Sequence, residues 1–120
     1  MPRDIIVLVE HVDGKIDSVT LQLLAAGRQL ATALNTQLIA LALGHELNGL
    51  GASLQNYAMD KIILVDNSAI PLAAGEVQAK VIAQVAKQLE PRLMLIGVQI
   101  GQQLGRVLVA RIHTQRLTRL

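Results

Sequence analysis

The stretch "VLVEHVDGKID" (residues 7–17) decides the fold. Val7, Leu8 and Val9 run without a polar interruption, as strands do when a parallel sheet buries them on both faces. In a nucleotide-binding βα unit such a strand leads into a glycine-rich phosphate loop. Here it leads into Glu10, His11, Val12 and an Asp13-Gly14 turn, with Asp17 beyond. Carboxylates at that place oppose a phosphate by about 1 kcal/mol each even when screened. The segment therefore keeps the frame of a nucleotide fold and lacks its anion grip.

Three further apolar runs of strand length follow the first, "IIVLV" (5–9): "QLIALAL" (37–43), "KIILV" (61–65) and "LMLIG" (93–97). Helical periodicity fills the gaps. Residues 18–34 place Thr20, Leu23, Leu24, Gly27, Leu30, Ala31 and Leu34 on one stripe, with Asp17 or Ser18 as N-cap. Gly27 in mid-helix costs roughly 1 kcal/mol against Ala unless it permits close packing on the sheet. A shorter helix is expected over 46–57 on Leu47, Leu50 and Leu54, interrupted by Gly49 and Gly51. A third runs over 72–89 on Val77, Val81, Val85 and Leu89 and is stopped by Pro91. A fourth is expected from Gln102 to His113.

The order βαβαβαβα with right-handed crossovers gives an α/β fold, a three-layer αβα sandwich around a parallel Rossmann-like sheet of the adenine-nucleotide-hydrolase-like kind. The expected strand order is 3-2-1-4. The expected core contains Val7, Val9, Leu23, Leu30, Ile39, Leu41, Ile63, Val81, Val85, Leu95 and Leu108. A chain of 120 residues suits one domain, residues 1–120.

The composition narrows function. With no Phe, no Trp and Tyr57 as the single aromatic, no platform exists for stacking bases, and a nucleic-acid partner is not expected. Zero cysteines exclude disulfides and thiolate chemistry. No apolar run approaches the roughly 20 residues that span a membrane, and the N-terminus carries no signal-peptide pattern, so a bacterial cytoplasmic protein is expected. Residues 101–120 hold Arg106, Arg111, Arg116 and Arg119 and no acid, a solvated helix end or a surface for an acidic partner.

Ligands of such folds bind beyond the carboxyl ends of the strands, which directs attention to residues 10–17 and 97–105. Gly97, Gly101 and Gly105 precede a helix start, and Gly101, Gln102 and Gln103 are weak candidates for an anion site, although glycines at such turns more often serve backbone sterics. Glu10 and His11 are adjacent and point to opposite faces, which argues against a joint acid-base role. His11, His45 and His113 have no metal-ligand spacing. Asp60 and Asp66 bracket the third strand as boundary residues. No catalytic or metal residues are assigned.

With these residues placed, the chain resembles the N-terminal domain of electron-transfer flavoprotein alpha subunits. The resemblance lies in "IIVLVEHVDGKIDSVTLQLLAAGRQLATALNTQLIALALG" (5–44), "YAMDKIILVDN" (57–67) and "QLEPRLMLIGVQIGQQLGRVLVARI" (88–112). Three positions depart from the family pattern, Gln102 and Gln103 where it has Arg-Asp and Ala58 where it has Gly, and the final "RIHTQRLTRL" drifts from it as well. The resemblance implies a non-catalytic structural and docking domain of a heterodimeric carrier that passes electrons from flavin dehydrogenases to a quinone reductase. It also implies that FAD is held mainly by a C-terminal domain absent from this chain, so no cofactor is expected on the chain alone. The implied partner is the beta subunit. A homodimer through surfaces that include residues 101–120 is a further expectation. The alternative is a free-standing adenine-nucleotide-binding module of universal-stress type, which requires a G-x-x-G followed by G-[ST] that residues 97–112 do not supply.

Overall fold

The computed structural model describes residues 4–12, 14–70 and 75–97. The elements are β1 (Ile5–Leu8), β2 (His11–Val12), β3 (Lys15–Ile16), α1 (Ser18–Ala33), β4 (Leu38–Gly44), α2 (Asn48–Leu54), β5 (Lys61–Asp66), α3 (Gly75–Leu89) and β6 (Leu93–Leu95). The expected fourth helix, Leu108 and the candidates Gly101, Gln102 and Gln103 lie outside the described residues.

The four long strands form one parallel sheet in the order β5-β4-β1-β6, the expected 3-2-1-4. Ile5 pairs with both Leu38 and Leu93, so β1 is an inner strand, and its four residues are all buried. Successive side chains alternate between the two faces. Ile5, Val7, Leu38 and Ala40 meet α1 and α2 through Leu24, Ala31, Leu50 and Leu54. Ile6, Leu8, Ile39 and Leu41 meet α3 through Ala79 and Ile82. Helices on both faces make the three layers.

Gly27 is what lets α1 lie close to the sheet. A Cβ there would stand 2.8 Å from Leu38 Cδ1 and 3.1 Å from Val7 Cγ2, which explains a glycine in mid-helix. Gly51 is buried in α2 for a related reason, since a Cβ would meet Leu64 Cδ1 at 3.1 Å. The helix is shorter than the expected 46–57. Glu46 is left-handed at φ 56°, which prevents a helical start there, and the chain leaves the helix by Asn56 and Tyr57 amides bonded to Ser53 and Leu54. Ala58 is not among the residues with positive φ, so its replacement of glycine carries no backbone strain.

Part of the expected core is less buried than its pattern suggested. Val7, Val9, Ile39 and Leu41 are buried, whereas Leu23, Ile63, Val81, Val85 and Leu95 are half-buried and Leu30 is 38% exposed. On α1 the buried stripe is Thr20, Leu24, Gly27 and Ala31, and Leu30 falls on its flank. On α3 the i+4 series drifts roughly 40° around the helix at each step, so its two ends cannot both face the sheet. Val77 and Leu89 are 49% and 37% exposed, and Ala79 and Ile82 make the buried contact instead. Ile63 sits on β5, an edge strand of the sheet.

Three aspartates tie the strand ends together. Asp4 Oδ1 accepts from the Thr36 hydroxyl at 2.8 Å and the Gln37 amide at 3.2 Å. Asp60 Oδ2 accepts from the Leu38 amide at 2.8 Å and from Arg28 at 3.0 Å. Asp66 accepts from the Glu46 and Leu47 amides, both at 3.0 Å. Asp60 and Asp66 therefore fasten β5 to β4 at both ends, a specific task for residues that the sequence marks only as boundaries.

Candidate site at the carboxyl edge of the sheet

Beyond β1 the chain forms a small hairpin where a phosphate loop would lie. His11 and Val12 pair antiparallel with Ile16 and Lys15, and Gly14 takes φ 77°, the left-handed turn conformation that glycine adopts without steric cost. The Asp17 amide donates to the Glu10 carbonyl at 2.9 Å and closes the base of the hairpin. From α1, the buried Thr20 hydroxyl accepts the Glu10 amide at 2.9 Å. These bonds use Glu10's own backbone groups to hold the hairpin, so its amide is not available to cradle an anion.

The side chains of Glu10 and His11 diverge, as adjacent extended residues should. Glu10 turns toward β6, where its carboxylate packs on Gly97 so closely that a Cβ at Gly97 would overlap it. Among the described residues its Oε1 is buried without a hydrogen-bond partner. Burial pushes the Glu10 carboxyl above its usual range, the nearby Asp17 charge pushes the same way, and the Gly97 amide pulls it partly back. His11 turns toward β4. Its Nε2 lies 3.0 Å from the Leu43 carbonyl, which only accepts, so this nitrogen carries the proton and Nδ1 is left as an acceptor.

Between the ends of β1 and β4 opens a cleft of about 440 Å³. Leu8, Leu43, Leu47, Leu50, Ile70 and Ile82 make its walls, and Glu10, His11, His45, Glu46 and Gln78 supply its polar groups. The loop bearing His45 and Glu46 is held by Asp66 through the two amide bonds above. The Leu47 amide is the first cause of an Asp66 carboxyl below its ordinary range. His45 stands 3.4 Å from Asp66 and 3.7 Å from Glu46.

The structure thus brings Glu10 and His11 to one edge but on diverging paths, and adds His45, Glu46 and Gln78. His45 and Glu46 had a sequence signal: they follow the second strand as Glu10 and His11 follow the first. Gln78 had none, because its place depends on how α3 crosses the sheet. Among the described residues no three side chains are placed to hold a metal ion, and no helix is long and apolar enough to cross a membrane.

Fold and edge together define an αβα domain of nucleotide-fold type in which an acidic hairpin occupies the phosphate-loop position. The sequence profile of the electron transfer flavoprotein domain matches residues 5–119, and the chain belongs to this family, as an alpha-subunit N-terminal-type domain. It is 34% identical over 113 residues to the acryloyl-CoA reductase electron transfer subunit beta of Anaerotignum propionicum, covering 93% of this chain and 31% of that protein. It is 32% identical over 109 residues to the electron transfer flavoprotein subunit alpha of Clostridium acetobutylicum, covering 90% of this chain and 32% of that protein. A third relative is the lactate dehydrogenase (NAD(+),ferredoxin) subunit LctC of Acetobacterium woodii, 28% identical over 113 residues, covering 93% of this chain and 27% of that protein. The chain spans about a third of the length of the curated relatives it matches.

Proposed function

We propose that this chain is a non-catalytic structural and docking domain of an electron-transfer flavoprotein alpha subunit. It pairs with a beta subunit in a carrier that passes electrons from flavin dehydrogenases to a quinone reductase. The relatives' printed names support an electron-transfer role, since they are electron transfer subunits.

The observation that carries the docking reading is the hairpin at residues 10–17. A dinucleotide needs free backbone amides and no competing anion at the end of the first strand. Here the Glu10 amide is bonded to Thr20, and the Glu10 carboxylate is packed on Gly97 at the crossover between β1 and β6. The described residues therefore do not fit the pyrophosphate of FAD, and in this reading the flavin of the assembled carrier is held by other residues than these. The same acids disfavour the adenine-nucleotide-binding alternative. The proposed setting is the bacterial cytoplasm.

Calorimetric titration with FAD tests this reading. Binding weaker than about 10 μM is expected, and a tighter constant, more than roughly 6.8 kcal/mol of binding, would overturn it.

A further inference from the structure

The helices α1 and α3 cover opposite faces of one sheet, yet their outer sides differ in chemistry. On α3 the exposed positions include Lys80 and Lys87, as is usual for the solvated side of a surface helix. On α1 the single charged residue of sixteen is Arg28, and its guanidinium is bonded to Asp60 at 3.0 Å. The outward side of α1 is otherwise uncharged. Gln22, Ala26, Gln29 and Ala33 are exposed there, and the larger Val19 and Leu30 are 40% and 38% exposed beside them.

These positions form a second seam. At 3.6 residues per turn Val19, Ala26, Leu30 and Ala33 fall within about 60° of arc. With the half-buried Leu23 they recur at alternating steps of four and three, the spacing by which one helix packs along another. The stripe that meets the sheet, Thr20, Leu24, Gly27 and Ala31, lies more than about 100° further round the helix, so the sheet does not account for the seam.

What covers this seam has to match its charge, which is zero, so neither an acidic nor a basic surface is selected. The seam matches itself. Turned antiparallel about a twofold axis at Ala26, it sets Ala26 against Ala26 of a second copy, where small side chains let the helix axes approach. The larger Val19 then faces the small Ala33 of the second copy. Gln22 comes beside Gln29 of the second copy, and since each side-chain amide both donates and accepts, the two satisfy one another. The antiparallel arrangement also opposes the two helix dipoles. We propose that the outer face of α1 is a homodimer interface, on which a second copy of this chain packs its own α1 antiparallel across Ala26. Such an interface is isologous and closes at two copies. It uses none of residues 101–120 and stands apart from the docking role, which concerns a different chain.

One helix pair is a small interface, so the association is weak, with a dissociation constant on the order of 100 μM. Sedimentation equilibrium of the full chain from about 10 μM to about 1 mM tests it. The average mass is expected to rise from near 12.9 kDa toward twice that value. Ala26→Glu and Ala26→Lys, each checked for an unchanged circular dichroism spectrum, place like charges at the axis and should each stay monomeric. Mixing the two in equal amounts should restore association, because Ala26 then meets the opposite charge on the second copy. Added salt should weaken that mixed pair and leave the wild type unchanged. Leu30→Gln, which removes apolar area without adding charge, should weaken association about tenfold and keeps the test open if a charge at Ala26 disturbs the fold. Val77→Lys, on the exposed side of α3, should associate like the wild type. A monomer mass at every concentration, A26E or L30Q associating like the wild type, a mixture of A26E and A26K that stays monomeric, or loss of association in V77K would each overturn the proposal.

Discussion

Glu10 shows how one side chain sets what a strand end can do. Its folded carboxyl titrates above its unfolded value, so its contribution to stability is complete below the ordinary carboxylate range and is lost as pH rises through the folded value. Glu10→Gln removes that loss. Thermal denaturation should show E10Q melting above the wild type at pH 7, with the difference vanishing near about pH 4. Asp60 has the opposite sign. The Leu38 amide and then the Arg28 side chain hold its carboxyl below the usual range, so its contribution is present above that range and is lost as pH falls through the folded value. Leu38 is 1% exposed, and Asp60→Ala leaves its amide without a partner, at a cost of about 1–2 kcal/mol at neutral pH in urea denaturation. Asp60→Asn keeps an acceptor and should cost less. The acidity around Gly14 was legible in the sequence because the residue types alone oppose phosphate. The Glu10 contact with Gly97 was not, because it joins the segments that follow two strands which only the sheet order makes neighbours.

At the scale of elements, the four strands and three helices follow from apolar runs and their spacing, and the strand order follows from the crossover rule. What spacing could not give was the rotation of each helix about its own axis. Val77, Val81, Val85 and Leu89 look like one stripe, but the drift of an i+4 series carries its ends off the sheet, and Ala79 and Ile82 take the buried place. The two-residue strands β2 and β3 were equally hidden, since their pairing rests on a turn rather than on an apolar pattern. Gly27 was the better clue. Its cost in mid-helix implied close packing, and Leu38 and Val7 are the atoms it approaches. Gly27→Val gains helix propensity but must displace both, so chemical denaturation should find it less stable by about 1–3 kcal/mol. An Ala at the exposed Gly49, where an added Cβ meets nothing within 4 Å, should instead be neutral or stabilising by up to about 1 kcal/mol.

For the molecule as a whole, the amino edge and the carboxyl edge of the sheet have separate tasks. Asp4 and Asp60 join strand starts to the loops beside them, whereas Glu10, His11, His45 and Glu46 line a cleft at the opposite edge. The fold class was legible in the chain because continuous apolar strands alternating with helices admit few arrangements. The cleft was not, because residues from both faces and four segments meet there. A domain of the nucleotide-fold type that has given up its phosphate grip is proposed to serve by the surface it offers to a second subunit. Sedimentation velocity of this chain mixed with its cognate beta subunit tests that claim most directly. A single 1:1 boundary, faster than either component, is predicted at about 10 μM of each, where an interface worth more than roughly 7 kcal/mol is substantially occupied. Two independent boundaries at that concentration would contradict it.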